Sequence, residues 1–211
     1  MRKRILTLFA LAVLSALSCL ASSSEAAFEL GIAGDDGGIR SFFFAVGDYY
    51  RVPEPTVVAI SNRRIPDDEV PVALFIAGRA HVDPSVVVDL RLSGLGWWDI
   101  SVRYGIFADA YYVPVKAVKL GPPYGHAYGY YRNKPKSKWK AIKLSNADVV
   151  NLVNLRFMSD YHGIAPETVM QKRGGGAGFK SIHGDIEKSK GKGKTKGAGN
   201  GNHGKGKGKK K

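Results

Sequence analysis

The chain has 211 residues, 44% of them apolar and 24% charged, with a formal net charge of +14 and a single cysteine. That apolar content is enough for a modest core and excludes a wholly disordered chain, while one cysteine excludes an intrachain disulfide, so packing must hold any fold. The charge is uneven: residues 1–26 carry three basic and one acidic group, residues 188–211 carry ten lysines and no acid, and only +2 is left for 27–187. The body is close to neutral, and the basic character lies nearly all in the tail.

Met1-Arg2-Lys3-Arg4 is a short positive segment, Ile5 to Leu20 is almost wholly apolar, and Ser24 and Ala26 offer small residues for cleavage. This predicts a secretory signal peptide over residues 1–26 and an exported protein; the run is shorter than the roughly 20 apolar residues of a membrane span. Ala16-Leu17-Ser18-Cys19 resembles the lipobox of bacterial lipoproteins, with Ala16 where that family prefers leucine. Cys19 is therefore either a lipidation site or a residue discarded with the leader. The glycine-rich stretch Phe28 to Gly38 reads as a lead-in, and the aromatic run Phe42 to Tyr50 gives way at Arg51-Val52-Pro53-Glu54-Pro55 to a helix start. Asp67 to Ala80 reads as a helix whose first residues, Asp67, Asp68 and Glu69, suit the positive end of its dipole.

From Pro84 to Ile100 the sequence is PSVVVDLRLSGLGWWDI, and at an offset of 82 it returns, ungapped, as PETVMQKRGGGAGFKSI from Pro166 to Ile182. The shared positions are Pro84/Pro166, Val87/Val169, Arg91/Arg173, Gly94/Gly176, Gly96/Gly178, Trp97/Phe179 and Ile100/Ile182. Proline suits a helix's first position, Asp83 is a good N-cap, and Gly94 and Gly176 stand where a left-handed cap would stop the helix. Trp97, Ile100 and Tyr104, like Phe179, Ile182 and Ile186, then give a second helix one apolar stripe. Each copy therefore reads as helix, glycine turn, helix, with copies at about 67–106 and 147–187 in a repeat domain spanning 27–187. A fainter echo at an offset of 30 pairs Val52 with Val82, Val57 with Val87, Ile60 with Leu90 and Ile65 with Leu95. Val87, Trp97, Ile100, Val169, Phe179 and Ile182 are the predicted core.

Between the copies, about 107–144, lies a predicted insertion. Tyr111 to Leu120 is β-like and carries Pro114, so it reads as an edge strand or extended segment. Gly121 to Tyr131, GPPYGHAYGYY, reads as a long loop leading into the basic stretch Arg132 to Lys140. Tyr124, His126, Tyr128, Tyr130, Tyr131 and Arg132 are candidate ligand-binding residues, a stacking and cationic surface for sugars or bases. The alternative is that the tyrosines cover apolar surface. Ser145-Asn146-Ala147-Asp148 is a capping box that starts a helix to about Tyr161. His81 and His162 occupy nearly corresponding places before the two proline helices, which points to a role in the turn, and no zinc ligand set surrounds them. The tail, residues 188–211, has too little apolar matter to fold and reads as disordered. Its lysines, Lys188, Lys190, Lys192, Lys194, Lys196, Lys205, Lys207, Lys209, Lys210 and Lys211, are candidate polyanion contacts acting by counterion release.

The repeated P-x-x-V-x-x-x-R-x-x-G-x-G-[WF]-x-x-I unit resembles helical elements of small exported bacterial proteins of unknown role, a resemblance that implies no activity. Its outline also looks like a helix-turn-helix DNA reader, but Trp97, Trp98, Asp99 and Phe179 stand where base-reading polar residues would be needed. The expected fold is mainly α, an array of short helices from duplicated helix-turn-helix units, with a Tyr/Gly/Pro-rich insertion and a basic tail. The leading functional reading is an exported, non-enzymatic envelope protein without a cofactor, whose partner is an anionic polymer: surface polysaccharide, lipid head groups or nucleic acid. Two alternatives stand beside it. One is a nucleic-acid-binding protein; the other is an envelope enzyme acting on glycans through acids such as Asp99, Asp109 or Asp160.

Overall fold

The structure, a computed structural model, describes residues 36–116 and 120–195, with side chains from 37 to 116 and from 120 to 191. The leader, Cys19 and the residues beyond Thr195 lie outside the described residues. Among the described residues nine α-helices follow one another: α1 Asp36–Tyr50, α2 Glu54–Ser61, α3 Val70–Ala80, α4 Pro84–Leu92, α5 Trp97–Arg103, α6 Gly125–Asn133, α7 Asn146–His162, α8 Pro166–Gly174 and α9 Phe179–Thr195. Short 3-10 turns cover Asp67–Glu69, Ala108–Tyr111 and Lys136–Ala141, and the described residues contain no strand. Of the two readings of Tyr111 to Leu120 the edge strand is corrected: Tyr111 closes a 3-10 turn, Tyr112 is extended, and residues 113–116 and 120 belong to no strand.

The helix ends are set by local backbone chemistry. α1, α3 and α7 stop at Arg51, His81 and Gly163, all left-handed (φ 56°, 56° and 65°). The next amide in each case bonds five residues back, from Val52 to Gly47 O, Val82 to Ala77 O and Ile164 to Ser159 O, which satisfies carbonyls that the helix end leaves open. α4 starts with Pro84, and Asp83 Oδ1 accepts from Ser85 N at 2.8 Å. α8 starts with Pro166. The chain turns left-handed again at Arg64, Gly94 and Gly176 (φ 63°, 98° and 92°), where the second and third make the glycines of the motif a backbone requirement.

The shared arginine has a physical role. Arg91 donates through Nε and Nη2 to Glu69, both at 2.9 Å, and through Nη1 to Leu95 O in the glycine turn at 3.4 Å, while its guanidinium lies 5.2 Å over the Trp97 ring. Arg173 donates to Ala177 O at 3.1 Å and to Asn151 Oδ1 at 3.2 Å, stands 3.7 Å from Asp68 Oδ2, and lies 4.7 Å over Phe179. Each arginine therefore clamps its own turn, stacks on the aromatic that follows, and pairs with an acid before α3. Lys180 reaches Asp67 at 3.9 Å, so the three acids read as capping charges meet three cations from two distant segments.

α3 is apolar on every side, with Val70 to Ala77 all buried, as a central helix must be. It packs on α4 and α7, and α7 in turn on α5, α8 and α9. Val87, Trp97, Ile100, Val169, Phe179 and Ile182 are each fully buried, as their spacing predicts.

Candidate polyanion interface

α9 has two halves. Phe179, Ile182, His183 and Ile186, at i, i+3, i+4 and i+7, are buried and hold its first turns in the core. Past Glu187 the residues described with side chains, 188–191, are exposed, Lys188 and Lys190 among them, and the helix continues to Thr195. The expectation of disorder from residue 188 is corrected for its first eight residues, because a helix nucleated and anchored by packing propagates at little further cost. Lys192 and Lys194 lie on that helix; Lys196, Lys205, Lys207, Lys209, Lys210 and Lys211 lie outside the described residues.

A buried polar chain fastens α9 to α1 and α7. Ser41 Oγ lies 2.9 Å from His183 Nε2, His183 Nδ1 lies 3.1 Å from His162 Nε2, and His162 Nδ1 faces Lys190 Nζ at 3.2 Å and Glu187 Oε1 at 3.3 Å. A neutral imidazole donates once and accepts once, and with both rings neutral every ring nitrogen is paired: His162 Nδ1 accepts from Lys190, its Nε2–H donates to His183 Nδ1, and His183 Nε2–H donates to Ser41 Oγ. Burial, the neighbouring His183 and Lys190 push His162 down to about 4, and burial likewise lowers His183. His162, expected to serve the turn, is instead part of this anchor; the left-handed turn position itself belongs to Gly163 and, after α3, to His81.

The tyrosine segment is not a loop. Residues 125–133 form α6, and Tyr124, Ala127, Tyr128 and Tyr131, at i, i+3, i+4 and i+7, are buried. Tyr128 donates to Val113 O at 2.6 Å and Tyr131 to Ala108 O at 2.7 Å, and both rings pack with Tyr112. Trp139 completes the cluster and donates to Tyr131 O at 3.1 Å and to Lys134 O at 3.0 Å. Tyr124, Tyr128 and Tyr131 are therefore core residues and cannot stack on a ligand, which corrects their assignment as binding residues. His126 and Tyr130 remain exposed, but His126 Nδ1 is 2.9 Å from the buried Asp148 carboxylate and the Tyr130 hydroxyl 3.1 Å from His126 Nε2. Asp148 is also the acid of the capping box on α7, so this pair braces α6 against the start of α7.

The segment after α6 offers a second basic surface that the tyrosine reading overshadowed. Arg132, Lys134, Lys136, Lys138, Lys140 and Lys143 are all exposed, and the buried Trp139 anchors the turn that displays them. Alternation of lysine with neutral residues and the absence of any acid from 132 to 144 were the available signals. Of the carboxylates considered for glycan chemistry, Asp99, Asp109 and Asp160 are exposed and lie on three separate elements, and Asp160 accepts from the Tyr49 hydroxyl at 2.8 Å. In α5, where a DNA reader would present polar side chains, Trp97, Trp98, Ile100 and Ser101 are buried. No helix of the described residues is long and apolar enough to cross a membrane. Neither a family model, a curated protein nor a solved structure matches the chain.

Proposed function

We propose that this chain is an exported, non-enzymatic protein of the cell envelope that binds anionic polymers through its lysine-rich end. The observation that carries the reading is the construction of α9: its first half is fixed in the core, Lys188 and Lys190 on its continuation are exposed, and the sequence places a lysine at every second position from Lys188 through Lys196. Such an end needs charge density and a firm mooring, not a recognition pocket, because release of condensed counterions supplies the affinity. The exposed lysines from 134 to 143 add a second charged surface. The helix-turn-helix pairs fit the same scheme as copies of one unit, α3–α4–α5 and α7–α8–α9, with α1–α2–α3 as a third. Supporting this, six of the seven left-handed residues among the described residues fall in pairs thirteen apart, at 51 and 64, 81 and 94, and 163 and 176, with Gly105 outside the pattern.

The test is heparin binding of the full chain across a salt series. Affinity falls by roughly three orders of magnitude between about 50 and 200 mM salt if the tail lysines act together. Replacing all ten lysines from Lys188 to Lys211 by glutamine removes most of that affinity and flattens the slope; unchanged binding overturns the proposal. Export is tested separately by the intact mass of the protein from the envelope of its own cells. A mass starting near Ala27, or a lipid on Cys19, supports it, and an uncut chain in the cytoplasm makes nucleic acid the partner instead.

A further inference from the structure

Where the C-terminal end of α1 meets α3 and α7, a cavity of about 560 Å³ opens between Tyr49, Tyr50, Arg51, Phe75, Arg79 and Arg156. Three of these are arginines, and no aspartate or glutamate lines the space. Several arginines elsewhere pair with acids: Arg91 with Glu69, Arg173 with Asp68, Arg63 with Asp89. Arg51, Arg79 and Arg156 have no carboxylate within ion-pair distance among the described residues. Two are nonetheless held in place. The Arg79 guanidinium lies 4.7 Å and that of Arg156 5.8 Å from the centroid of one ring, Phe75, and Arg156 Nη2 donates to Tyr112 O at 2.7 Å. Like charges are thus gathered around a single aromatic with nothing in the cavity wall to neutralise them.

Arg51 adds an independent observation. It occupies the left-handed position that ends α1, with φ 56°, as His81 does after α3 and Gly163 after α7. Glycine is the favoured residue there, and of the non-glycine residues that hold this conformation among the described residues, Arg51, Arg64 and His81, Arg51 is the one that lines the cavity. Tyr50 also lines the cavity, and burial pushes its phenol well above the usual range, so it stays protonated and is a donor. The one acid bonded to the lining, Asp160, is engaged by the Tyr49 hydroxyl.

We propose that this cavity is a binding site for a small organic anion, a carboxylate or phosphate group on a body of about monosaccharide size, whose oxyanion is held by Arg51, Arg79 and Arg156. The guanidinium fork matches planar and tetrahedral oxyanions bidentately, and a concave site with low-dielectric aromatic walls focuses the positive potential of three such groups. The volume falls within the range of ordinary ligand pockets and exceeds what a bare inorganic ion fills, so the rings of Tyr49 and Tyr50 are left to contact the body of the ligand. This site is separate from the lysine-rich end and binds a different size of ligand.

Calorimetric titration of the full chain with glucuronate, glucose 6-phosphate, glucose and inorganic phosphate tests it. Glucuronate or glucose 6-phosphate should bind saturably at one site, glucose at least about tenfold more weakly, and phosphate should compete. Arg79→Gln and Arg156→Gln should each weaken the anion about tenfold or more. Arg51→Gly gives opposite signs in two readouts: a higher melting temperature, from relief of the left-handed strain, together with weaker binding. The variant with glutamine for the tail lysines should lose heparin yet keep the small anion, so failure of one proposal is distinguishable from failure of the other. Absence of saturable binding by both organic anions, or binding unchanged in Arg79→Gln and Arg156→Gln, overturns the assignment.

Discussion

Acid should loosen this protein at one defined place, the His162–His183 pair. His162 has a side chain shut off from water and is lowered from 6.5 to about 4 in the fold, first by burial and then by its neighbours His183 and Lys190. A depressed histidine favours the folded state only while neutral. Its contribution is therefore fully present above the unfolded value near pH 6.5 and is lost as pH falls from there towards 4. Linkage between those two values gives a loss of about 2 kcal/mol between pH 7 and pH 5 and about 3 kcal/mol by pH 4 for His162 alone, with His183 shifting in the same direction. The two rings stand 3.1 Å apart beside an ammonium, so a second proton enters only at still lower pH. Urea unfolding at pH 7, 6, 5 and 4 measures this, with His162→Gln as the comparison that removes one titrating ring while carboxylates contribute equally to both. The variant should be less stable at pH 7 and lose less on acidification. Parallel stability profiles for the two proteins, or a His162 imidazole titrating near 6.5 by NMR, would refute the reasoning.

Trp97→Ala and Phe179→Ala, at two fully buried aromatics under stacked arginines, should each cost about 3–5 kcal/mol in urea unfolding. Gly176→Ala meets open space, so its cost comes from the backbone alone, about 1–2 kcal/mol for a side chain at φ 92°. Arg51→Gly is the mirror case and should stabilise by about 1 kcal/mol. Tyr131→Phe strips the donor from a buried bond to Ala108 O and should cost about 1 kcal/mol without altering heparin binding; a loss of heparin binding would return Tyr131 to the ligand surface.

The repeated segment was legible because its signals are local. Proline at a helix start, glycine where φ must be positive and an aromatic three residues before isoleucine each act over one or two turns of chain: Pro84 and Pro166 open helices, and Gly94 and Gly176 are left-handed. The tyrosine segment was misread because Gly121, Pro122, Pro123, Gly125 and Gly129 outweigh its spacing in any local reading. Burial of Tyr124, Tyr128 and Tyr131 supplies several kcal/mol of apolar transfer, more than the roughly 1 kcal/mol that each helical glycine costs. The spacing of those three rings with Ala127 was the signal, and it lost to composition.

Sequence by itself therefore determined where the proline-led helices α4 and α8 and the capped helix α7 begin, which face of α7 and of the first turns of α9 goes inward, and that the basic charge gathers at one end, since caps, turns and amphipathic spacing depend on neighbours in the chain. Tertiary structure alone decided which groups meet: Glu69 with Arg91 and Asp68 with Arg173, His162 with His183, and Arg51, Arg79 and Arg156 around one cavity. Those partners lie 21 to 105 residues apart and are joined only when particular apolar faces close on each other. A hydrophobic stripe states that a face is buried; it carries no information about which other face buries it, and the charges riding on both faces are brought together by that choice.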